Sequence, residues 1–119
     1  KIEGQSKVNM LGLVTLDFSH NPLGDHFVKE LCNTLRFDTW IIAINLENIG
    51  MTLLGLERVY EMIQDNETLL EVRIGTQWKS SHVRSLVDKI NDVMVTRRRE
   101  KFKQFTFAKL QKGSSESRP

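Results

Sequence analysis

The chain has 119 residues, 39% of them apolar and 27% charged, with a formal net charge of +2. That length holds at most one ordinary domain, and the balance is that of a globular chain, not a disordered or collagen-like one. So small a surplus of charge does not by itself imply a nucleic-acid or membrane partner. No apolar run is long enough to cross a bilayer as a helix.

The single cysteine, Cys32, rules out an intrachain disulfide and a cysteine-based zinc site. It fits a reducing, intracellular compartment. The opening residues KIEGQSKV carry neither an initiator Met nor the apolar core of a signal peptide, which suggests a piece of a longer protein.

The organising feature is a period. Leu13, Leu16 and Phe18 recur as Ile41, Ile44 and Leu46, and again as Leu69, Val72 and Ile74, each set 28 residues after the last. Leu31, Val59 and Val87 recur in the same register. A fixed period of roughly 20–29 residues with an LxxLxL core is the signature of a leucine-rich repeat. The predicted fold is therefore α/β: a leucine-rich solenoid of about three repeats, parallel inner strands and outer helices, with a long C-terminal capping helix.

Taken in order, residues 1–12 are polar and lack apolar residues where a preceding repeat would need them. They are expected to be an irregular lead-in or the end of such a repeat. Residues 13–104 form the repeat portion with its terminal helix, and 105–119 a partly disordered tail.

In the first repeat, residues 13–18 alternate apolar with polar or small, the period of a half-buried strand. Asn21-Pro22 makes a turn, Asp25 is placed to cap a helix, and Phe27, Val28, Leu31 and Leu35 follow at helical spacing. In the second, Thr52 is the expected cap, and Leu56, Val59 and Ile63 line the helix. Ile49 replaces Asn21, so the bonding there must differ. Gly55 stands where the first repeat has Phe27, and suggests close packing against the neighbouring helix. Asn66-Glu67-Thr68 fits a glycosylation acceptor, but we read it as the turn between repeats. In the third, Ser80 or Ser81 caps a helix with a stripe of Val83, Leu86, Val87, Ile90 and Met94, predicted over about 81–104. Trp40 and Trp78 are expected to pack at repeat edges.

The informative surface is the concave one, where outward strand residues stack in columns. These are Thr15, Ala43 and Glu71; Asp17, Asn45 and Arg73; and Ser19, Glu47 and Gly75. Solenoids use such a face to bind protein, so Asp17, Ser19, Asn45, Glu47, Glu71 and Arg73 are candidate partner-binding residues.

A second candidate set is the basic-aromatic end: Arg97, Arg98, Arg99, Phe102 and Phe105. As phosphate ligands with an interleaved aromatic they point to nucleic acid. As a solvated helix end they need no ligand, since cations suit a helix C-terminus. The latter reading is preferred. Phe102, Phe105 and Phe107 with Leu110 either fold back as an end cap, the first choice, or are offered to a partner. His26 and His82 lie two repeats apart, too far for one zinc ion. No catalytic arrangement or phosphate loop is identifiable, so neither enzyme activity nor a cofactor is expected.

The run of LxxLxL, Asn-Pro-Leu-Gly-Asp and a helix resembles the ribonuclease-inhibitor-like class of leucine-rich repeats from residue 13 to about 94. That class implies a right-handed horseshoe. The closing stretch Asp65-Asn66-Glu67-Thr68-Leu69-Leu70-Glu71-Val72, with the helix carrying TRRREKF, resembles the last repeat of axonemal leucine-rich proteins of the nexin–dynein regulatory complex. Tropomodulins and centrosomal leucine-rich proteins are similar in part. The resemblance implies a non-enzymatic protein-interaction scaffold in the cytoplasm, associated with a cytoskeletal assembly such as a cilium or axoneme. Its partners would be subunits of that assembly rather than nucleic acid or membrane. The alternatives are a regulator of a small GTPase, against which the basic C-terminal end argues, and nucleic-acid contact through the terminal helix.

Overall fold

The structure is a computed structural model that describes residues 5–8 and 14–116. It is a mixed α/β arrangement. Three parallel strands, β2 (Val14–Asp17), β3 (Ile41–Asn45) and β4 (Glu71–Arg73), alternate with three helices, α1 (Gly24–Leu35), α2 (Leu53–Asp65) and α3 (Ser81–Glu116). The pairing register repeats the period of the sequence. Leu16, Ile44 and Val72 stand abreast, as do Thr15, Ala43 and Glu71, and Asp17, Asn45 and Arg73. Because side chains alternate across a strand, Ile44 and Val72 turn into the core while their neighbours take the other face. Leu13 lies outside the described residues.

A fourth strand, β1 (Gln5–Val8), pairs antiparallel with β2, Gln5 opposite Asp17. It lies within the stretch read as an irregular lead-in. The reason is backbone demand: the outer edge of β2 needs hydrogen-bond partners, and a short polar segment supplies them without any apolar period.

The core lies between the sheet and the helices. Cys32, Ile49, Met51 and Met62 join it, but many of its buried members are those the period selects. They include Phe18, Leu46 and Ile74 after the strands, and Val28, Leu31, Leu35, Leu56, Val59, Ile63, Val87, Ile90 and Met94 from the helices. Helix α1 packs on α2, and α2 on α3. Cys32 is buried among them, and burial pushes its thiol up to about 12. Arg58 opposes that rise, Glu61 adds to it, and Arg36 opposes it.

Thr52 caps α2 as expected, but Asp25 departs from its expected role. Asp25 does not cap its own helix: α1 starts at Gly24, and its N-cap position, Leu23, makes no side-chain cap bond. Instead the Asp25 carboxylate reaches across to the next turn. Its Oδ1 accepts from the Thr52 backbone N–H at 2.8 Å and its Oδ2 from the Thr52 hydroxyl. Thr52 in turn caps α2 through the Leu54 N–H. Gly55 belongs to the same arrangement, because a Cβ there would collide with Asp25 Oδ1 and Met51. Its tight packing is thus against a capping carboxylate.

The turn between α2 and β4 is built on Asn66, which is fully buried. Its Nδ2 donates to the Leu35 carbonyl at 2.6 Å and more weakly to that of Asp38. Its Oδ1 accepts the Thr68 and Leu69 N–H groups, both at 2.8 Å. One turn earlier, Asp38 Oδ2 accepts from Trp40 and Ile41 in the same pattern. The Asn21 Nδ2 donates to the Phe18 and Ser19 carbonyls, whereas Ile49 buries an apolar side chain at the equivalent place and its carbonyl accepts from Leu23 and Gly24.

Two outcomes follow. Asn66→Ala removes all four bonds at once and leaves buried donors and acceptors unpaired. It should lower the unfolding free energy in urea by about 3 kcal/mol. Cys32 should stay unmodified by a thiol-disulfide reagent at pH 8 until denaturant is added. Because the fold raises its pKa, that group's contribution is intact below the unfolded value near 9 and is lost as the pH climbs toward 12.

Candidate functional site

The open face of the sheet carries the columns Thr15–Ala43–Glu71 and Asp17–Asn45–Arg73, set there by strand alternation and the constant register. With Ile44 they line a shallow depression of about 240 Å³. Two members are fixed by local bonds. Asp17 Oδ1 accepts from the Ser19 N–H at 2.9 Å and from its hydroxyl at 2.6 Å. Asn45 Oδ1 accepts from the Glu47 N–H at 3.0 Å. Both are turns closed on the residue two positions on, so Ser19 is tied to Asp17. Arg73 is held more loosely, 3.7 Å from Glu47 and 3.9 Å from Glu71. Exposed pairs of this length contribute about 0–1 kcal/mol, which leaves the guanidinium able to exchange partners. The sequence-selected residues Asp17, Asn45, Glu47, Glu71 and Arg73 are thus brought together.

The basic set divides. Arg97 turns inward, where its Nη2 donates to the Ile63 carbonyl at 2.7 Å and its Nη1 to that of Leu69 at 2.9 Å. Burial lowers its pKa from the ordinary value, and Glu67 pulls it back up, but a guanidinium remains charged at neutral pH. Arg98 Nη1 donates to the Leu70 carbonyl at 2.6 Å. The Ile63 carbonyl occupies the position, 28 residues on, of the Leu35 carbonyl bound by Asn66. Arg97 therefore supplies beside the last strand a bond that Asn66 supplies one period earlier. Reading these arginines as a solvated helix end missed this. Arg99 is exposed.

Helix α3 does not stop near Gln104 but continues to Glu116, through part of the stretch read as a tail. Phe102, Phe105 and Phe107 are exposed by 70%, 66% and 62%. They do not fold back as a cap. The Leu110 side chain lies outside the described residues. Trp78 packs against the core, but Trp40, whose backbone N–H donates to Asp38 Oδ2, stands 69% exposed.

Among the described residues no group of His, Cys, Asp and Glu could hold a metal ion. His20 faces Asn48, Nδ1 to Nδ2, at 3.1 Å. No described helix is long and apolar enough to cross a membrane. A larger hollow of about 510 Å³ between α2 and α3, lined in part by Glu57, Glu61, His82 and Lys89, mixes charges without a convergent donor set. The sequence placed Thr52 at a helix cap and Asn66 in a turn, but hid the bond of Asn66 to the Leu35 carbonyl and that between Asp25 and Thr52. The one available signal was that Asp38 and Asn66, 28 apart, each precede an apolar repeat position, Ile41 or Leu69, by three residues.

No protein-family model matches the chain, and a comparison with curated proteins found no match.

Replacing Arg97 with Met should leave the Ile63 and Leu69 carbonyls without their donor and destabilise the fold by about 2 kcal/mol in chemical denaturation. Arg99→Met, which removes the same charge from an exposed position, should leave the midpoint unchanged.

Proposed function

We propose that the chain is a leucine-rich solenoid portion of the ribonuclease-inhibitor-like kind, acting as a non-enzymatic scaffold that holds a protein partner on the open sheet face. The observation that carries this reading is the stacking of Thr15, Ala43 and Glu71 beside Asp17, Asn45 and Arg73 at a constant 28-residue offset. Such a period fits stacked repeats that each contact their neighbours and create an extended binding surface.

The mechanism is positional. Asp17 and Asn45 are preset by their turns, so little side-chain freedom is lost on binding. Glu47 and Glu71 are held near Arg73, and with Asp17 make three carboxylates among the described residues here, set against Arg73 and an Arg98 already bound to the Leu70 carbonyl. That balance favours a partner presenting basic and hydrogen-bond-donating side chains. The closing-repeat likeness over residues 65–72 supports a cytoskeletal assembly, ciliary or axonemal, as the setting.

The double substitution Glu47→Arg/Glu71→Arg should reduce capture of tubulin-, dynein- or actin-associated proteins from an axonemal extract at least about tenfold, with the far-ultraviolet circular dichroism unchanged. Equal capture by both proteins would remove the sheet face from the reading. Capture of none by the parent chain would remove the cytoskeletal setting.

A further inference from the structure

Helix α3 leaves the body of the protein carrying a face that no described residue covers. Arg98 is anchored at the Leu70 carbonyl. After it, residues 99–107 are exposed except for the half-buried Thr106. From Arg98 to Glu116 the helix runs on for about 27 Å at 1.5 Å per residue. Helices in proteins owe most of their stability to packing of one face, and exposed clusters of large apolar side chains mark interaction sites.

The spacing defines the face. Arg98, Phe102, Phe105 and Lys109 follow one another at intervals of four, three and four residues. That is the alternation of core positions along a helix pair. Arg99 and Lys101 fall on the two flanks, the places from which charged side chains cross to a partner helix. Lys109 lies over the Phe105 ring at 5.9 Å. Glu100 and Phe107 fall on the opposite side, where Glu100 is 3.8 Å from Lys103. So the one acid among residues 97–109 is kept off the face.

We infer that this face docks an acidic amphipathic helix of a partner protein, with Phe102 and Phe105 in the seam and Arg99 and Lys101 pairing with glutamates on its flanks. Charge selects that occupant. Residues 97–109 carry Arg97, Arg98, Arg99, Lys101, Lys103 and Lys109 against Glu100 alone. A second copy of the helix would set like charges against each other across the flanks. A bilayer needs the rings on one side, and Phe107 lies on the other. A nucleic-acid strand needs free cations along a groove, and Arg97 and Arg98 are already bound to carbonyls. The face adjoins the sheet at Arg98, which lines a hollow with Glu47, Glu71 and Arg73, while Phe102 and Phe105 lie beyond it; helix docking here does not depend on the sheet-face reading.

The test uses the full chain and a labelled peptide of about three heptads with Leu at the core positions and Glu at the flanks. A counterpart with Lys at the flanks serves as control, and fluorescence anisotropy is the readout. The Glu peptide should bind at least about tenfold tighter than the Lys peptide, and Phe102→Ala/Phe105→Ala should weaken it by about tenfold or more. Phe107→Ala, on the opposite side, and Glu71→Arg, on the sheet, should leave it unchanged. The second variant separates failure here from failure of the sheet-face reading. Arg99→Glu/Lys101→Glu should transfer the preference to the Lys peptide, a gain that a merely unfolded helix cannot produce. Four results overturn the proposal. These are no binding of the Glu peptide, equal binding of both peptides, tighter binding to oligothymidylate or to phosphatidylserine-containing vesicles, and dimerisation of the chain that depends on Phe102 and Phe105.

Discussion

A chain that lays strand beside strand leaves a row of backbone carbonyls facing forward at every turn, and each needs a donor from the turn that follows. Here the Leu35 carbonyl is met by the Asn66 side chain. The Ile63 carbonyl, one period later, is met by Arg97. Between them Asn66 also orders its own turn through Thr68 and Leu69. Unpaired buried carbonyls are costly, so the last one fixes where α3 must pass and which of its residues must face the body. The course of the long helix follows from this need, together with the burial of its own Val87, Ile90 and Met94 in the core.

The same economy of forward contacts appears on the helical side. Asp25, in the first turn of α1, spends its carboxylate on Thr52 at the start of α2, and Gly55 leaves the room that this contact requires. Capping is therefore shared between successive turns rather than confined to one helix. An acid near a helix N-terminus also complements the helix dipole, here that of α2. The strand-to-helix loops repeat too: His20 and Asn48, 28 apart, both take positive φ, at 63° and 55°.

These contacts leave two surfaces of different character. The sheet face is small, fixed and rich in carboxylates, with Arg73 as the one loosely paired cation of its depression. The distal part of α3 is basic and aromatic, with its rings in water. One is shaped by the register of the strands and the other by the helix outrunning the body it closes.

What the sequence determined by itself is the period, and with it the parallel register and the core. Leu16, Ile44 and Val72 could be placed side by side before any coordinate was known, because burial on one face of a strand and one stripe of a helix imposes a spacing. The columns Thr15–Ala43–Glu71 and Asp17–Asn45–Arg73 follow from the same spacing. Polar contacts between turns were not legible. Asp25 has the composition of a cap for its own helix, and only the approach of α2 decides that it caps Thr52. Arg97 and Arg98 read as a solvated basic run, and only the position of the Ile63, Leu69 and Leu70 carbonyls decides that they close the stack. Apolar burial is periodic and writes itself into the sequence. A hydrogen bond between distant residues depends on where two chain segments meet, and that is settled by the tertiary structure alone.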